Sequence, residues 1–256
     1  MTVLLLSLAG GAVVGLAVGA LGGGGGILAV PVLIYLLGLS PVDAGTASLI
    51  IVLATALVAL ARHARAGLVA WRTGAVFASA ALAPAIGASV LSPHLPRPVL
   101  TGTFAVLAVA AAVVMLSPPR ALDPSPGSGT VRTARRTAVP VAAGAGLGAV
   151  TGLLGVGGGF LTVPTLVSVL SLRMKLAVGT SVLVMTMTSA AALAGRLLTS
   201  HPTLDWAVVA PFAGAAILGA WDGKRLAARH SAPTLQRAFA VLLLAVAAFM
   251  LMETVT

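Results

Sequence analysis

Apolar residues run along this chain in long blocks with few polar interruptions. Residues 44–61, 73–96, 98–119 and 137–172 each pass without an Asp, Glu, Lys or Arg. Each block is long enough to cross a ~30 Å hydrocarbon core as a helix. Alternation of period two is absent, so a membrane β-barrel is excluded. The pattern predicts two glycine-interrupted apolar segments, 3–38 and 138–172, each followed by three uninterrupted spans. These are 43–61, 73–91 and 98–117 in the first half and 176–195, 205–221 and 234–252 in the second. Between the halves, residues 118–137 are rich in Pro, Gly, Ser and Arg and read as a linker.

The halves repeat one another. Residues 11–33 read GAVVGLAVGALGGGGGILAVPVL, and residues 144–166 read GAGLGAVTGLLGVGGGFLTVPTL. Gly22, Gly24, Gly25, Gly26 and Pro31 align with Gly155, Gly157, Gly158, Gly159 and Pro164, while Gly23 faces Val156. Downstream, AGTASL (44–49) answers VGTSVL (178–183), Arg62 answers Arg196, and Trp71 answers Trp206. Glycine clusters that break two membrane helices at matching places are the signature of a transporter site built from discontinuous helices.

Composition settles the class. The chain is 59% hydrophobic and 8% charged, against about 25% charged in ordinary globular domains. Its net charge of +10 reflects arginines in short loops without interleaved aromatics, which is a membrane pattern and not a nucleic-acid surface. The absence of cysteine excludes disulfides and thiolate chemistry. The four histidines show no metal-ligand spacing and read as solvated loop residues. No carboxylate falls mid-span, and no nucleophile triad or paired-acid site is present. The sequence therefore predicts neither an enzyme nor a bound cofactor or metal.

Charge placement also sets the expected topology. If each glycine-broken segment crosses once, the 15 Lys and Arg residues divide almost evenly between the two faces. If each enters and turns back, all but Arg97 and Arg196 fall on one face. The positive-inside rule favours the second arrangement. The expected fold is an all-α integral membrane protein of two inverted repeats, 1–117 and 138–256, each a re-entrant hairpin plus three spans. Both termini would lie outside, with the linker in the cytoplasm. A helix from Val30 to Leu37 rises only ~12 Å. That is too short to cross the bilayer and suits a return from mid-membrane.

The breaks are the candidate site. Backbone exposed at depth must be buried in protein or line a polar cavity. The short helix after each break directs free N–H groups and a positive dipole end at the midplane, which suits an anion. Candidate ligands are Gly24, Gly25, Gly26, Gly157, Gly158 and Gly159, with the hydroxyls Thr46, Thr180 and Ser181 of the two matched segments. Thr162, Thr165, Thr186, Thr188, Ser48 and Ser189 are further hydroxyls nearby. The ordinary fate of such hydroxyls is a bond back to their own helix. Gly11, Gly15, Gly19 and Gly144, Gly148, Gly152 have the four-residue spacing of close helix packing. Arg62 and Arg196 are candidate gates, although an arginine at a span end ordinarily snorkels to headgroups. Trp71 and Trp206 read as interface anchors.

The repeated motif, GALGGGGGILAVP (19–31) and GLLGVGGGFLTVP (152–164), together with the A-G-T-A and V-G-T-S segments after it, resembles the TauE/SafE sulfite-exporter family across about residues 3–253. The resemblance implies a bacterial plasma-membrane permease for a small sulfur oxyanion such as sulfite, an organosulfonate or a thiosulfate-like anion. Proton or Na⁺ coupling is then the expectation. The residues alone also admit a passive anion channel of the same fold, a cation carrier, or a membrane scaffold that transports nothing.

Overall fold

A computed structural model describes residues 2–21, 26–116, 131–168, 170, 172–199 and 204–229, with individual helical positions between 237 and 252. Gly22–Gly25 and most of the predicted linker and last span lie outside the described residues. The described residues form helices and loops, with no strand among them. In order they are α1 (Thr2–Leu21), α2 (Gly26–Pro31, continued by a wider turn through Leu36), α3 (Pro41–Arg65), α4 (Trp71–Leu91), α5 (Arg97–Leu116), α6 (Val131–Leu154), α7 (Gly159–Ser168), α8 (Met174–Thr199) and α9 (Trp206–Arg229). A single 3₁₀ turn, Ser92–His94, follows α4.

Helix starts follow local chemistry. Ser40 caps α3, its hydroxyl accepting from the Asp43 N–H at 3.2 Å, with Pro41 in the first turn. Asp205 does the same for α9, accepting from Ala207 N–H at 2.9 Å. Several helices outrun the apolar blocks that foretold them. α3 continues to Arg65 and α9 to Arg229, because a basic residue ends an apolar run without ending the helix that carries it. α6 starts at Val131, inside the stretch read as linker. The Pro/Gly/Ser-rich composition stops at Gly129, and VRTARR contains good helix formers.

Glycine ridges bring backbones together. A Cβ added to Gly11, Gly15 or Gly19 would collide with the carbonyls of Phe212, Ala216 and Ala220 on α9. Gly144, Gly148 and Gly152 of α6 face the carbonyls of Phe77, Ala81 and Ala85 on α4 in the same manner. Each half thus lends its first helix to the fourth helix of the other half. Residue numbers climb together in both contacts, so α1 runs parallel to α9, and α6 to α4. α8 is parallel to α4 as well, since Gly74 meets Thr180 and Leu183 while Gly195 meets Ile86 and Ser89.

α3 and α8 form the centre and run antiparallel. Arg196, near the end of α8, reaches Val42 and Thr46 at the start of α3. Gly179, near the start of α8, lies against Leu68 and His63 at the other end. α6 and α8 therefore begin at the same end of the bundle, and the chain between them, including α7, returns to the end it left. Consistent with this, Leu166 of α7 clusters with Phe77 and Ala177 near the starts of α4 and α8.

The main core joins residues of α1, α2, α3, α5, α6, α8 and α9, among them Val18, Ile27, Val52, Phe104, Val156, Met185 and Phe212. The outer surface is also apolar, with Val76, Val106, Leu198 and Leu218 exposed, as expected of faces that meet lipid. Four helical stretches, Thr2–Gly19, Pro41–Arg65, Trp71–His94 and Lys175–Thr199, are long and apolar enough to cross a membrane. Trp71 and Trp206 are both exposed at helix starts.

Candidate functional site where two helix breaks meet

The second break is a tight turn between α6 and α7. Gly155, Gly157 and Gly158 have φ of 70°, 73° and 62°, the left-handed region in which a Cβ costs roughly 1–2 kcal/mol. Gly155 N–H closes α6 by donating to Thr151 O at 2.9 Å. The turn then folds back along α6, placing Gly158 against Thr151 and Leu147. Space is as restrictive as conformation here, because Gly155 packs on the backbone of Gly45 and Gly157 on the Val52 side chain.

The first break arrives at the same place. Gly26, the first residue of α2, lies against the Val156 carbonyl and within 3.1 Å (from its Cβ position) of Val52 Cγ2. Val52 sits near the middle of α3, so the two breaks meet midway along the central helices. α7 opens at Gly159, and its first N–H groups lack intrahelical partners.

The predicted site residues divide into two groups. Gly26, Gly157, Gly158 and Gly159 come together at this meeting point, whereas Gly24 and Gly25 lie outside the described residues. Thr46 and Thr180 are buried at opposite ends of the antiparallel α3–α8 pair, ~25 Å apart at 1.5 Å per residue. They do not line one small site. Thr46 Oγ1 donates to Val42 O at 2.9 Å and accepts from Arg196. Thr180 Oγ1 accepts from Ala70 N–H at 3.0 Å, holding the start of α4. Ser181 bonds back to Val178 O at 2.7 Å. These three hydroxyls shape the scaffold. Thr162, Thr165, Thr186 and Thr188 likewise bond back to their own helices.

Three other hydroxyls behave differently. Ser48, Thr151 and Ser189 are each 0% exposed, and none has a hydrogen-bond partner among the described residues. They come from α3, α6 and α8. Thr151 Oγ1 lies against Gly158, and Ser189 Oγ is 3.2 Å from the Cβ position of Gly157. Ser48 is on the α3 face that carries Gly45 and Val52, both of which touch the same turn. Thr151 escaped the sequence reading because its repeat counterpart is Val18; recurrence was the wrong guide to it.

The two matched arginines are in different states. Arg196 was expected to snorkel but is 1% exposed. Its guanidinium donates to Val42 O (2.9 Å), Thr46 Oγ1 (3.2 Å), Ser92 Oγ (3.1 Å), Gly152 O (3.2 Å) and Leu153 O (3.1 Å). The last two are carbonyls at the C-terminal end of α6, where a cation offsets the helix dipole. Its partners offer an inward anchor that headgroups would otherwise supply. Arg62 instead lies over the Trp221 ring at 4.4 Å and donates to Trp221 O at 3.1 Å. The space around it is a small cavity lined by Val18, Gly19, Val58, His63, Val182, Ala220 and Trp221. His63 belongs to the last turn of α3 and is half-buried, not in a solvated loop. Among the described residues, no group of three or more His, Cys, Asp or Glu could hold a metal ion.

Comparison with known proteins decides the family. The model of the sulfite exporter TauE/SafE family matches residues 7–250. The chain belongs to the TauE/SafE family. It is 33% identical to a probable membrane transporter protein of Xylella fastidiosa (strain 9a5c), over 97% of this chain and 95% of that protein. A second probable membrane transporter protein, from strain Temecula1 / ATCC 700964 of the same species, is 32% identical over the same shares. No solved structure matches the chain. This TauE/SafE protein is therefore a multi-pass membrane protein of a transporter family, with Gly26 placed against the second glycine turn.

Proposed function

We propose that this protein is a secondary transporter of a small sulfur oxyanion, sulfite or an organosulfonate, working by alternating access between two inverted repeats. The observation that carries the reading is the meeting of Gly26 and Val156 midway along the central helices, each at a break in its own half. Antiparallel α3 and α8, which are repeat counterparts, support the inversion. So does the return of α7 to the end from which α6 set out. Irregular backbone at depth is tolerated where it lines a cavity, and helix N-termini there favour anions. The family name supports sulfite as the first candidate.

Alternating access needs one end closed while the other opens. Arg196 ties α3, the Ser92 turn, α6 and α8 together at one end. Arg62, its counterpart, stands beside a cavity at the other. In this reading the arginines are pseudo-symmetric latches, and the described conformation is closed at the Arg196 end. The charge distribution supports an outside position for that end and both termini, with the Arg62 end in the cytoplasm of a bacterium, by the positive-inside rule. Coupling to H⁺ or Na⁺ belongs to the same proposal. With no mid-span carboxylate in the sequence, the substrate's own protonation is the simplest proton carrier.

Flux into proteoliposomes tests the proposal. A carrier gives sulfite uptake that saturates with concentration. Uptake that rises linearly would favour a passive channel, and no uptake of any small oxyanion by folded protein would favour a scaffold.

A further inference from the structure

We propose that Ser48, Thr151 and Ser189 form the substrate's oxyanion cradle, binding the three oxygens of a sulfite or sulfonate head at the second helix break only. The inference rests on the transporter reading above and deepens it. Burying a hydroxyl without a partner is costly, and native structures rarely leave one so. Here Thr151 and Ser189 lie against one four-residue turn, and Ser48 shares the α3 face of Gly45 and Val52, which touch that turn. Each can donate one O–H, and the N–H groups opening α7 can only donate. A site of neutral donors with a helix N-terminus fits a small anion bearing several acceptor oxygens.

The arrangement is one-sided. The repeat counterparts of Ser48 and Thr151 are Val182 and Val18. The counterpart of Ser189 is Thr55, which bonds back to Ile51 O at 2.8 Å and Val52 O at 3.0 Å. The first break therefore lacks a matching set of free hydroxyls. Arg196 lies beside Gly45, with Nη1 and Nη2 taken by five acceptors and its buried Nε without a partner among the described residues; it holds the scaffold around the cradle through the engaged nitrogens.

The test is sulfite flux in proteoliposomes made with the full chain and with Ser48→Ala, Thr151→Val and Ser189→Ala. Thr55→Ala is the control, and Thr151→Ser restores a hydroxyl. A hydrogen bond to a charged group has a value at which each deletion raises KM for sulfite about ten- to a hundredfold. Thr151→Ser and Thr55→Ala stay near the parent value. Sulfate protects against sulfite uptake by the parent and loses this in the three variants, while chloride competes poorly throughout. An unchanged KM in the three variants, or an equal rise in Thr55→Ala, overturns the cradle and leaves the transporter reading intact. A shift in Na⁺ dependence in place of sulfite KM also overturns it, by making the hydroxyls cation ligands. Absence of sulfite flux and of sulfite-induced thermal stabilisation in the parent overturns both.

Discussion

Replacing Arg196 by Met should destabilise the protein far more than replacing Arg62. Five hydrogen bonds disappear with the Arg196 guanidinium, yet the loss is not five times one bond. Val42 O keeps the Thr46 hydroxyl at 2.9 Å, and Leu153 O keeps the Ser92 hydroxyl at 2.8 Å. The two hydroxyls remain engaged through those same bonds. Gly152 O is the acceptor that loses its only side-chain donor. One orphaned buried acceptor costs about 1–3 kcal/mol, and the lost cation at the end of α6 adds about 0.3–2 kcal/mol. Relief of the buried charge's desolvation returns part of this. The net expectation is about 2–4 kcal/mol, or roughly 5–10 °C in a protein of this size. Arg62 is half-exposed and makes one hydrogen bond to Trp221 O and one ring contact, worth about 1 kcal/mol together. Its Met variant should fall by roughly 3 °C or less. Arg196→Lys keeps the charge but not the planar fork, and should recover only part of the loss. Intrinsic tryptophan fluorescence during a thermal ramp in detergent, at one scan rate, reads all three. Equal shifts for the two Met variants, or a larger one for Arg62, would refute the assignment of Arg196 as the closed latch.

Further outcomes follow from the same geometry. Gly148→Ala should lower apparent Tm markedly, because the new methyl meets the Ala81 carbonyl. Gly146→Ala, on the same helix with nothing within 4 Å, should be neutral or raise stability by up to about 1 kcal/mol; thermal ramps of the pair decide. Gly45→Ala places a methyl 2.6 Å from Arg196 Nη1, and should mimic the loss of that arginine in both Tm and flux. The chain has no cysteine, so single-cysteine labelling in whole cells needs no prior engineering. Ser128→Cys and Ser200→Cys should react from opposite faces of the membrane if the repeats are inverted, and from the same face if they are parallel.

Much of the fold was legible because membrane burial writes itself in composition. The glycine ridge at Gly11, Gly15 and Gly19 and its counterpart at Gly144, Gly148 and Gly152 could be read as packing surfaces from spacing alone, and the structure supplies their partners on α9 and α4. The breaks were visible as glycine clusters before prolines. The partners themselves were not legible, since an exchange of first helices between halves leaves no trace in a linear pattern. The hydroxyls show a deeper limit. Searching for residues that recur selects positions the fold uses in both halves, and Thr46 and Thr180 prove to be scaffold residues, tied to Arg196 and Ala70 at opposite ends. A single substrate does not require both halves to supply identical ligands. Ser7 is equally buried and unpartnered, and Ser48, Thr151 and Ser189 stand out only once their place around the second break is known as well. Arg196 misled for a related reason. Its position at a span end suggested headgroups, but five acceptors from three neighbouring segments hold it inside.

The most direct test of the central claim, that substrate passes where the two breaks meet, is sulfite flux in proteoliposomes with the parent chain and Gly158→Leu. Gly158 has φ of 62° and its Cβ direction is filled by Thr151 and Leu147, so a leucine there must displace the turn. The account predicts saturable uptake by the parent and none by the variant, with the variant still inserted and monodisperse. Full uptake by a folded Gly158→Leu protein would contradict it.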